Sequence, residues 1–515
     1  MTLLNLQQAK VAVIGAGTMG IGIAQLAAMH GHTTYVYDVD TARANSALNA
    51  LQTQLQKRVE AGKMSQDTLD RTMENLHIAT QLEDLANSQL IVEAIVENKE
   101  VKQQLFQKLA DICSQETIFA SNTSSISITA IAAGIPHPER VVGLHFFNPA
   151  PVMKLVEVIA GLQTNVQIVD ALIDLMSAWK KVPVRAKSTP GFIVNRIARP
   201  YYAEGFRALQ EHATTPEQLD FIMRECGRFS MGPCELTDLI GQDINFSVTR
   251  SVYEAFFDEP RYRPSLVQKE LVDAGCLGRK SKQGFYDYRD ENAKKVYQLP
   301  ILYSKQVQTM DVVVKGDWSH SAGLIALLKQ STHVNLQIES ASVAEMIVDG
   351  ISVRLSMGQS AEIDYANEKV VLMDWHGDWE KAKAIAVVAS PACTEQDCQQ
   401  IESLFIGINI IPIWSQDHPG LYALRSIAML VNEGCEAVLH QIATEQDIDA
   451  AMKFGVNYPK GPFQWGSEIG YNIILHTLQN LYRIYGEERY RPNLYLLKKV
   501  AQGTVQIKQA LRAAS

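Results

Sequence analysis

From Lys10 to about Arg185, short apolar runs alternate with longer segments in which apolar residues recur at helical spacing, as expected for strands and covering helices of a parallel sheet. The predicted strands are Val11–Ile14, Thr34–Tyr37, Leu90–Ile95, Thr117–Ala120, Val141–His145, Lys154–Ile159 and Val182–Arg185. From Pro190 to about Leu277 the pattern becomes helical, with Pro216 and Pro233 placed where a proline can open a helix. Strand-like runs return between about Asp290 and Asp417, at Asp311–Lys315, Lys369–Asp374 and Ala384–Ala389.

The remaining chain repeats the helical segment. Pro190-Gly191 recurs as Pro419-Gly420, Arg196 as Arg425, Glu204-Gly205 as Glu433-Gly434, Gly232-Pro233 as Gly461-Pro462, and Arg261-Tyr262-Arg263-Pro264 as Arg489-Tyr490-Arg491-Pro492. Two copies of one packing unit are therefore expected, differing at one important place: Asn195 is matched by Leu424.

Composition narrows the classes. The 515 residues, 47% hydrophobic and 20% charged, form a folded chain too long for a single core. A net charge of −9, from 47 basic and 56 acidic residues, speaks against a general nucleic-acid surface. MTLLNLQQAK has no basic start or apolar leader core, and no run approaches the ~18 apolar residues of a membrane span. A cytoplasmic, non-membrane protein is expected. The seven cysteines are scattered, the close pairs Cys226/Cys234 and Cys393/Cys398 lack clustered partners, and reduced thiols without a metal are expected.

The first strand runs into Gly15-Ala16-Gly17-Thr18-Met19-Gly20, followed by a helix through about Met29, and the second strand ends at Asp38. This is the dinucleotide fingerprint in its structural context. Gly15 allows the turn, Gly17 lets backbone approach the pyrophosphate, and Gly20 lets helix and strand pack closely; free amides at Thr18 and Met19 face the phosphates. A carboxylate at Asp38 bonds a ribose 2′-hydroxyl and repels a 2′-phosphate, so NAD is expected over NADP. The predicted architecture is an α/β Rossmann-type dinucleotide domain (1–188), an all-α domain (189–289), a second, smaller α/β unit without a phosphate loop (290–417) and a repeated all-α domain (418–515).

Oxidation of a secondary alcohol needs a base, and His145, at the end of a predicted strand, suits that part because histidine as a residue type exchanges protons near neutral pH. Its surroundings carry a resemblance. The segments Glu93-Ala94-Ile95-Val96-Glu97-Asn98, Ser121-Asn122-Thr123-Ser124-Ser125, Gly143-Leu144-His145-Phe146-Phe147-Asn148-Pro149, Lys154-Leu155-Val156-Glu157 and Pro190-Gly191-Phe192-Ile193-Val194-Asn195-Arg196 resemble the 3-hydroxyacyl-CoA dehydrogenase family in order and spacing. With the appended repeat the chain resembles the long bacterial form associated with phenylacetate degradation.

The resemblance implies that Glu157 orients His145, a pairing that hairpin geometry does not derive: a tight reversal at Asn148–Pro151 would put His145 opposite roughly Lys154. It implies that Ser124 touches substrate and nicotinamide, with Ser125 competing for the part, and that Glu97, Lys102 and Lys280 lie by the cofactor. Asn195 can donate to the developing C3 carbonyl. Lys57, Arg58 and Lys63 are the candidates for the coenzyme A phosphates. The implied reaction is NAD-dependent oxidation of a (S)-3-hydroxyacyl-CoA, as in β-oxidation and fatty-acid metabolism. A dicarboxylic chain such as 3-hydroxyadipyl is expected, with Arg199 and Arg207 as candidates for its far carboxylate. Alternatives are a 3-hydroxybutyryl-CoA substrate, a decarboxylating hydroxyacid dehydrogenase using lysine, or a non-catalytic NAD-binding protein. The helical copies are expected to pack on each other about a pseudo-twofold axis, the second without catalysis, leaving room for a homo-oligomer.

Overall fold

The computed structural model describes residues 6–290, 297–299 and 308–503. The chain start read above for a leader, the opening of the 290–417 segment and the end of the repeat fall partly outside these residues. The chain divides into two compact units, Met1–Arg196 with His440–Val456, and Ile197–Leu439 with Asn457–Ser515.

In the first unit an eight-stranded sheet has the order β3-β2-β1-β4-β5-β6-β7-β8. Its strands are β1 (Val11–Ile14), β2 (Thr34–Tyr37), β3 (Leu76–Ile78), β4 (Leu90–Glu93), β5 (Ile118–Ser121), β6 (Val141–Phe146), β7 (Leu155–Ala160) and β8 (Val182–Lys187). Both faces of the central strands are covered, so every residue of β1, β4, β5 and β6 is buried, and their apolar runs do not alternate. β3, only three residues long, gave no signal of its own in the sequence.

One expectation needs correction: the sheet is not wholly parallel. β7 runs antiparallel to β6, and β8 runs parallel to β7. The connection from β6 to β7 is also wider than a tight hairpin, which brings His145 opposite Glu157 rather than Lys154. The buried Lys181 ammonium holds that connection from beneath, donating to Ala150 O at 2.6 Å and Met153 O at 2.8 Å.

The helix Glu445–Gly455, from the second helical copy, belongs to this unit and packs on β7 and β8. A backbone bond from Lys187 N to Ile442 O, 2.9 Å, fixes its approach. Gly455 is required there: a Cβ would meet Leu155 Cδ2 at 2.6 Å and Val194 Cγ2 at 3.1 Å.

The second unit holds a seven-stranded sheet of order β10-β9-β11-β12-β13-β14-β15. Its strands are β9 (Met310–Lys315), β10 (Val334–Glu339), β11 (Glu345–Val348), β12 (Ile351–Leu355), β13 (Val370–Met373), β14 (Ala384–Ala389) and β15 (Ile411–Trp414). Parallel β9–β10, antiparallel β13–β14 and parallel β14–β15 repeat the relations of β1–β2, β6–β7 and β7–β8. The turn Gly191 (φ +73°), Phe192 (φ +47°) is likewise repeated by Gly420 (φ +81°), Leu421 (φ +50°).

The helices Arg199–Gln210 and Ala423–Leu439 pack together in this unit. Glu204 accepts from Arg425 Nε at 2.7 Å and Tyr490 Oη at 3.1 Å, with Arg489 Nη2 at 3.3 Å. Glu433, its counterpart, accepts from Tyr262 Oη at 2.6 Å and Arg261 Nη1 at 3.4 Å. Each copy's glutamate thus takes the other copy's Arg-Tyr pair, the reciprocal exchange of a pseudo-twofold interface. Burial raises the Glu204 carboxyl, yet the charges of Arg489 and Arg425 outweigh it and hold the group below its ordinary range. No helix among the described residues is long and apolar enough to cross a membrane.

Candidate active site

β1 ends in the glycine loop, where crowding decides two of the three glycines. A Cβ on Gly15 (φ +101°) would lie 2.6 Å from Ala94 O, and one on Gly20 would lie 1.8 Å from Gly15 O. Gly17 differs: a Cβ there would meet only Arg43 Nη2, at 3.6 Å, so open space rather than protein faces it. That opening at the start of the helix Thr18–Met29, whose N-cap has no side-chain partner, fits a pyrophosphate. Asp38 follows β2, accepting from Ala16 N at 2.8 Å through Oδ2 and from Asp40 N at 3.1 Å through Oδ1. Its carboxylate is thereby fixed beside the loop. Sequence reasoning missed Arg43, a cation beside Gly17 that no local motif marks.

The Ser/Thr loop after β5 is organised by glutamates on and after β4. Glu97 Oε1 accepts from Thr123 Oγ1 at 2.6 Å, Ser124 N at 3.0 Å, Ser125 N at 3.2 Å and Ser125 Oγ at 2.9 Å. Ser124 Oγ, at 3.5 Å, is the hydroxyl left less engaged, which favours it over Ser125 as a donor to a ligand. Burial raises the Glu97 carboxyl, but the Thr123 bond and the Lys102 charge outweigh it and lower the pKa.

Lys102 is no solvated surface charge. It is buried, 2.6 Å from Glu93 Oε1 and 3.3 Å from Glu97 Oε2. Glu93 also accepts from Ser121 Oγ at 2.7 Å, so this buried carboxylate, which the sequence reading did not single out, links the ends of β4 and β5.

His145 and Glu157 are register partners on β6 and β7, with Nδ1 2.7 Å from Oε2. An ionised carboxylate can only accept, so in the neutral imidazole this pairing selects the tautomer with the proton on Nδ1 and leaves Nε2 as the acceptor. Glu157 Oε1 accepts from Ile193 N and Val194 N, each at 3.0 Å. One carboxylate therefore orients the imidazole and caps the segment carrying Asn195. The Asn195 amide reaches Ser124 O at 3.4 Å, which gathers Ser124, Asn195, His145 and Glu157 around connected backbone. Phe147 and Phe192 flank the imidazole at ring distances of 4.6 and 6.0 Å.

Comparison with known proteins agrees with this geometry. Residues 10–189 match the NAD binding domain of 3-hydroxyacyl-CoA dehydrogenase, and residues 191–288 and 420–513 both match its C-terminal domain. The chain belongs to the 3-hydroxyacyl-CoA dehydrogenase family. A 3-hydroxyadipyl-CoA dehydrogenase of Escherichia coli is 44% identical over 497 residues, 95% of this chain and 96% of that protein. Human mitochondrial hydroxyacyl-coenzyme A dehydrogenase is 39% identical over 285 residues, 54% of this chain and 91% of that one. The crystal structure of 3-hydroxybutyryl-CoA dehydrogenase from Escherichia coli matches 98% of this chain and 100% of its own, with a TM-score of 0.89 and 41% identity. Like its family, the chain is an NAD-dependent oxidoreductase.

A further match covers the later part of the second sheet, from within β12 to β15: residues 353–419 match the 3-hydroxybutyryl-CoA dehydrogenase reduced Rossmann-fold domain. At the end of β9, Gly316 (φ +77°) stands where Gly15 stands after β1, but the buried Trp318 takes the place of Gly17. In the place of His145 and Glu157, Asp374 N pairs with Ala386 O, and the Asp374 carboxylate accepts from Tyr422 N (3.0 Å), Ala423 N (2.7 Å) and Leu424 N (3.0 Å).

The other candidates divide. Lys280 Nζ is 2.7 Å from Asp243 Oδ2, so its charge already has a partner in the second unit. Lys57, Arg58 and Lys63 are exposed at and just beyond the end of the helix Thr41–Glu60, where Lys63 N bonds Arg58 O. Arg207 is held by Glu487 at 2.6 and 2.8 Å and by Glu211 at 2.7 Å, which leaves its charge satisfied.

Proposed function

We propose that the chain oxidises (S)-3-hydroxyadipyl-CoA to 3-oxoadipyl-CoA, a step suited to phenylacetate degradation. The observation that carries the chemistry is His145, with Nδ1 locked on Glu157 and Nε2 free to accept a proton. The Gly15–Gly20 loop and Asp38 would hold NAD, which would supply the hydride acceptor when bound. His145 Nε2 removes the proton of the 3-hydroxyl, and Glu157 stabilises the imidazolium so formed. Ser124 and the Asn195 amide donate to the same oxygen as it becomes a carbonyl. Phe147 and Phe192 limit water at the imidazole. Glu97 and Lys102 set the loop that carries Ser124. Lys57, Arg58 and Lys63, exposed and close in sequence with no ion pair among the described residues, suit the coenzyme A phosphates.

The dicarboxylic substrate is supported by the Escherichia coli relative's name and coverage. A second reading, 3-hydroxybutyryl-CoA, is supported by the likeness to the Escherichia coli crystal structure. Initial rates of NADH formation across 3-hydroxyacyl-CoA substrates separate them. A kcat/KM for 3-hydroxyadipyl-CoA about tenfold above those for 3-hydroxyhexanoyl- and 3-hydroxybutyryl-CoA is expected. A preference for 3-hydroxybutyryl-CoA selects the second reading, and no turnover of any thioester rejects both.

A further inference from the structure

The cofactor loop has one charge beside it that the glycine fingerprint does not account for. Arg43 is the third residue after Asp40, the cap of the helix Thr41–Glu60, and the Asp40 side chain accepts from Ala42 N at 3.0 Å and Arg43 N at 3.2 Å. The first turn of a helix is the positive end of its dipole, where a carboxylate is favoured and a guanidinium is not. No acidic residue stands in that turn.

Arg43 also has no carboxylate to neutralise it. It is exposed, and among the described residues its guanidinium makes no hydrogen bond and no ion pair. Arg71, Arg185 and Arg250 are exposed as well, yet each is paired, with Asp67, Asp170 and Glu254 respectively. Asp38 and Asp40, the acids nearest in sequence, are turned to backbone amides: Asp38 accepts from Ala16 N and Asp40 N, and Asp40 caps the helix.

The side chain reaches the open edge of the glycine loop. Nη2 stands 3.6 Å from the point that a Cβ on Gly17 would take, whereas a Cβ on Gly15 or Gly20 would strike backbone. Gly17 is itself the cap of the helix Thr18–Met29 and offers that helix no side-chain partner. A guanidinium rooted in one helix N-terminus thus lies against the N-terminus of another, and like charges of this kind repel unless an anion lies among them. The second sheet has Trp318 in place of Gly17, and it has no such second helix, since residues 340–344 alone join β10 to β11. The two features are missing together.

We propose that Arg43 is a cofactor-binding residue whose guanidinium pairs with the pyrophosphate of NAD at the Gly17 opening. The proposal rests on the loop's reading as the NAD site and adds to it a charged donor. A 2′-phosphate is the other anion that an arginine beside such a loop can serve, and the Asp38 carboxylate opposes it.

Fluorescence titration of the full-length protein with NADH and NADPH, and displacement of NADH by ADP-ribose or adenosine, test it at low and at high potassium chloride. ADP-ribose keeps the pyrophosphate and adenosine has none. At low salt Arg43→Gln should weaken NADH and ADP-ribose about tenfold, the size of one charge-assisted pair, and leave adenosine within about twofold. NADH affinity should fall more steeply with salt in the unsubstituted protein than in Arg43→Gln. Arg43→Lys should keep part of the affinity, as a point charge without the bidentate fork. The unliganded melting temperature of Arg43→Gln should hold or rise, because the charge removed opposes the helix dipole. Unchanged NADH and ADP-ribose affinities in Arg43→Gln would make Arg43 a solvated surface charge and overturn the proposal. Equal weakening of adenosine would mean a disturbed loop, and a loss confined to NADPH would put the guanidinium on a 2′-phosphate; either result overturns the proposal and leaves the loop as the cofactor site. An unsubstituted protein that binds no NADH would remove the loop reading and the proposal together.

Discussion

Asp374 of the second sheet stands at the strand position that His145 holds in the first. Both lie beyond the same rung of an antiparallel pair, but Ala386 replaces Glu157, and the Asp374 carboxylate itself caps the following helix at Tyr422, Ala423 and Leu424. With Trp318 where a pyrophosphate would need Gly17, this copy has no base and no cofactor loop. Calorimetry should therefore give one NADH per chain, and two would refute the assignment. Asp374→Ala should lower stability by about 3 kcal/mol through unsatisfied buried amides, while kcat/KM well below the melting temperature stays unchanged.

In the first sheet, His145→Gln should lower kcat by at least ~100-fold with NADH affinity nearly unchanged, as expected for loss of a general base. Glu157→Gln should also lower kcat strongly, because an amide nitrogen facing Nδ1 disfavours the productive tautomer. Single-turnover rates measured with saturating NAD check both. Retained turnover in His145→Gln would move the base elsewhere.

Asp38 faces the cofactor loop with both oxygens fixed by backbone amides. Replacing it with Ser should weaken NAD binding about tenfold and narrow the preference over NADP. Equal kcat/KM with NAD and NADP in the unsubstituted protein would contradict the ribose assignment.

Lys181 gives a pH signature. Burial lowers its pKa to about 8, from an ordinary value near ~10.5. The folded protein therefore releases this proton before the unfolded chain does, and the group's contribution to stability grows as pH rises from about 8 towards 10.5 and is absent below about 8. Thermal melts over that range should show a rise in the unsubstituted protein relative to Lys181→Met. Because Lys181 holds Ala150 and Met153 between His145 and Glu157, Lys181→Met should also lower kcat more than it raises KM.

Ending the chain at about Asp417 removes Arg425, Arg489 and Tyr490 from Glu204, and the helix Glu445–Gly455 from β7 and β8. The fragment should aggregate or dimerise on size-exclusion chromatography. A monomeric, fully active fragment would show the repeat to be an independent appendage.

What the sequence made legible was local. Gly15–Gly20 and Asp38 are set by turn and strand within one βαβ unit, and the buried strands read as apolar runs because helices cover both faces. The His145–Glu157 register was not legible, since it depends on a connection shaped by Lys181, far along the chain. The buried state of Lys102 depends on Glu93, at the end of the strand that precedes its helix, and a cation of that kind reads as surface in a one-dimensional pattern. In the second sheet, β10 escaped because at an exposed edge it carries no continuous apolar run of the kind that marks the buried strands. The hairpin from β11 to β12 did carry a signal, Asp349-Gly350, both with positive φ.

The exchange of partners between Glu204 and Glu433 has a further consequence for how the enzyme responds to dilution. Ionic contacts between separate chains obey mass action and are lost as concentration falls. Here both sides of the exchange are tied to one backbone, so each glutamate meets its arginines at a fixed effective concentration. No amount of dilution can part them without unfolding the unit that contains them.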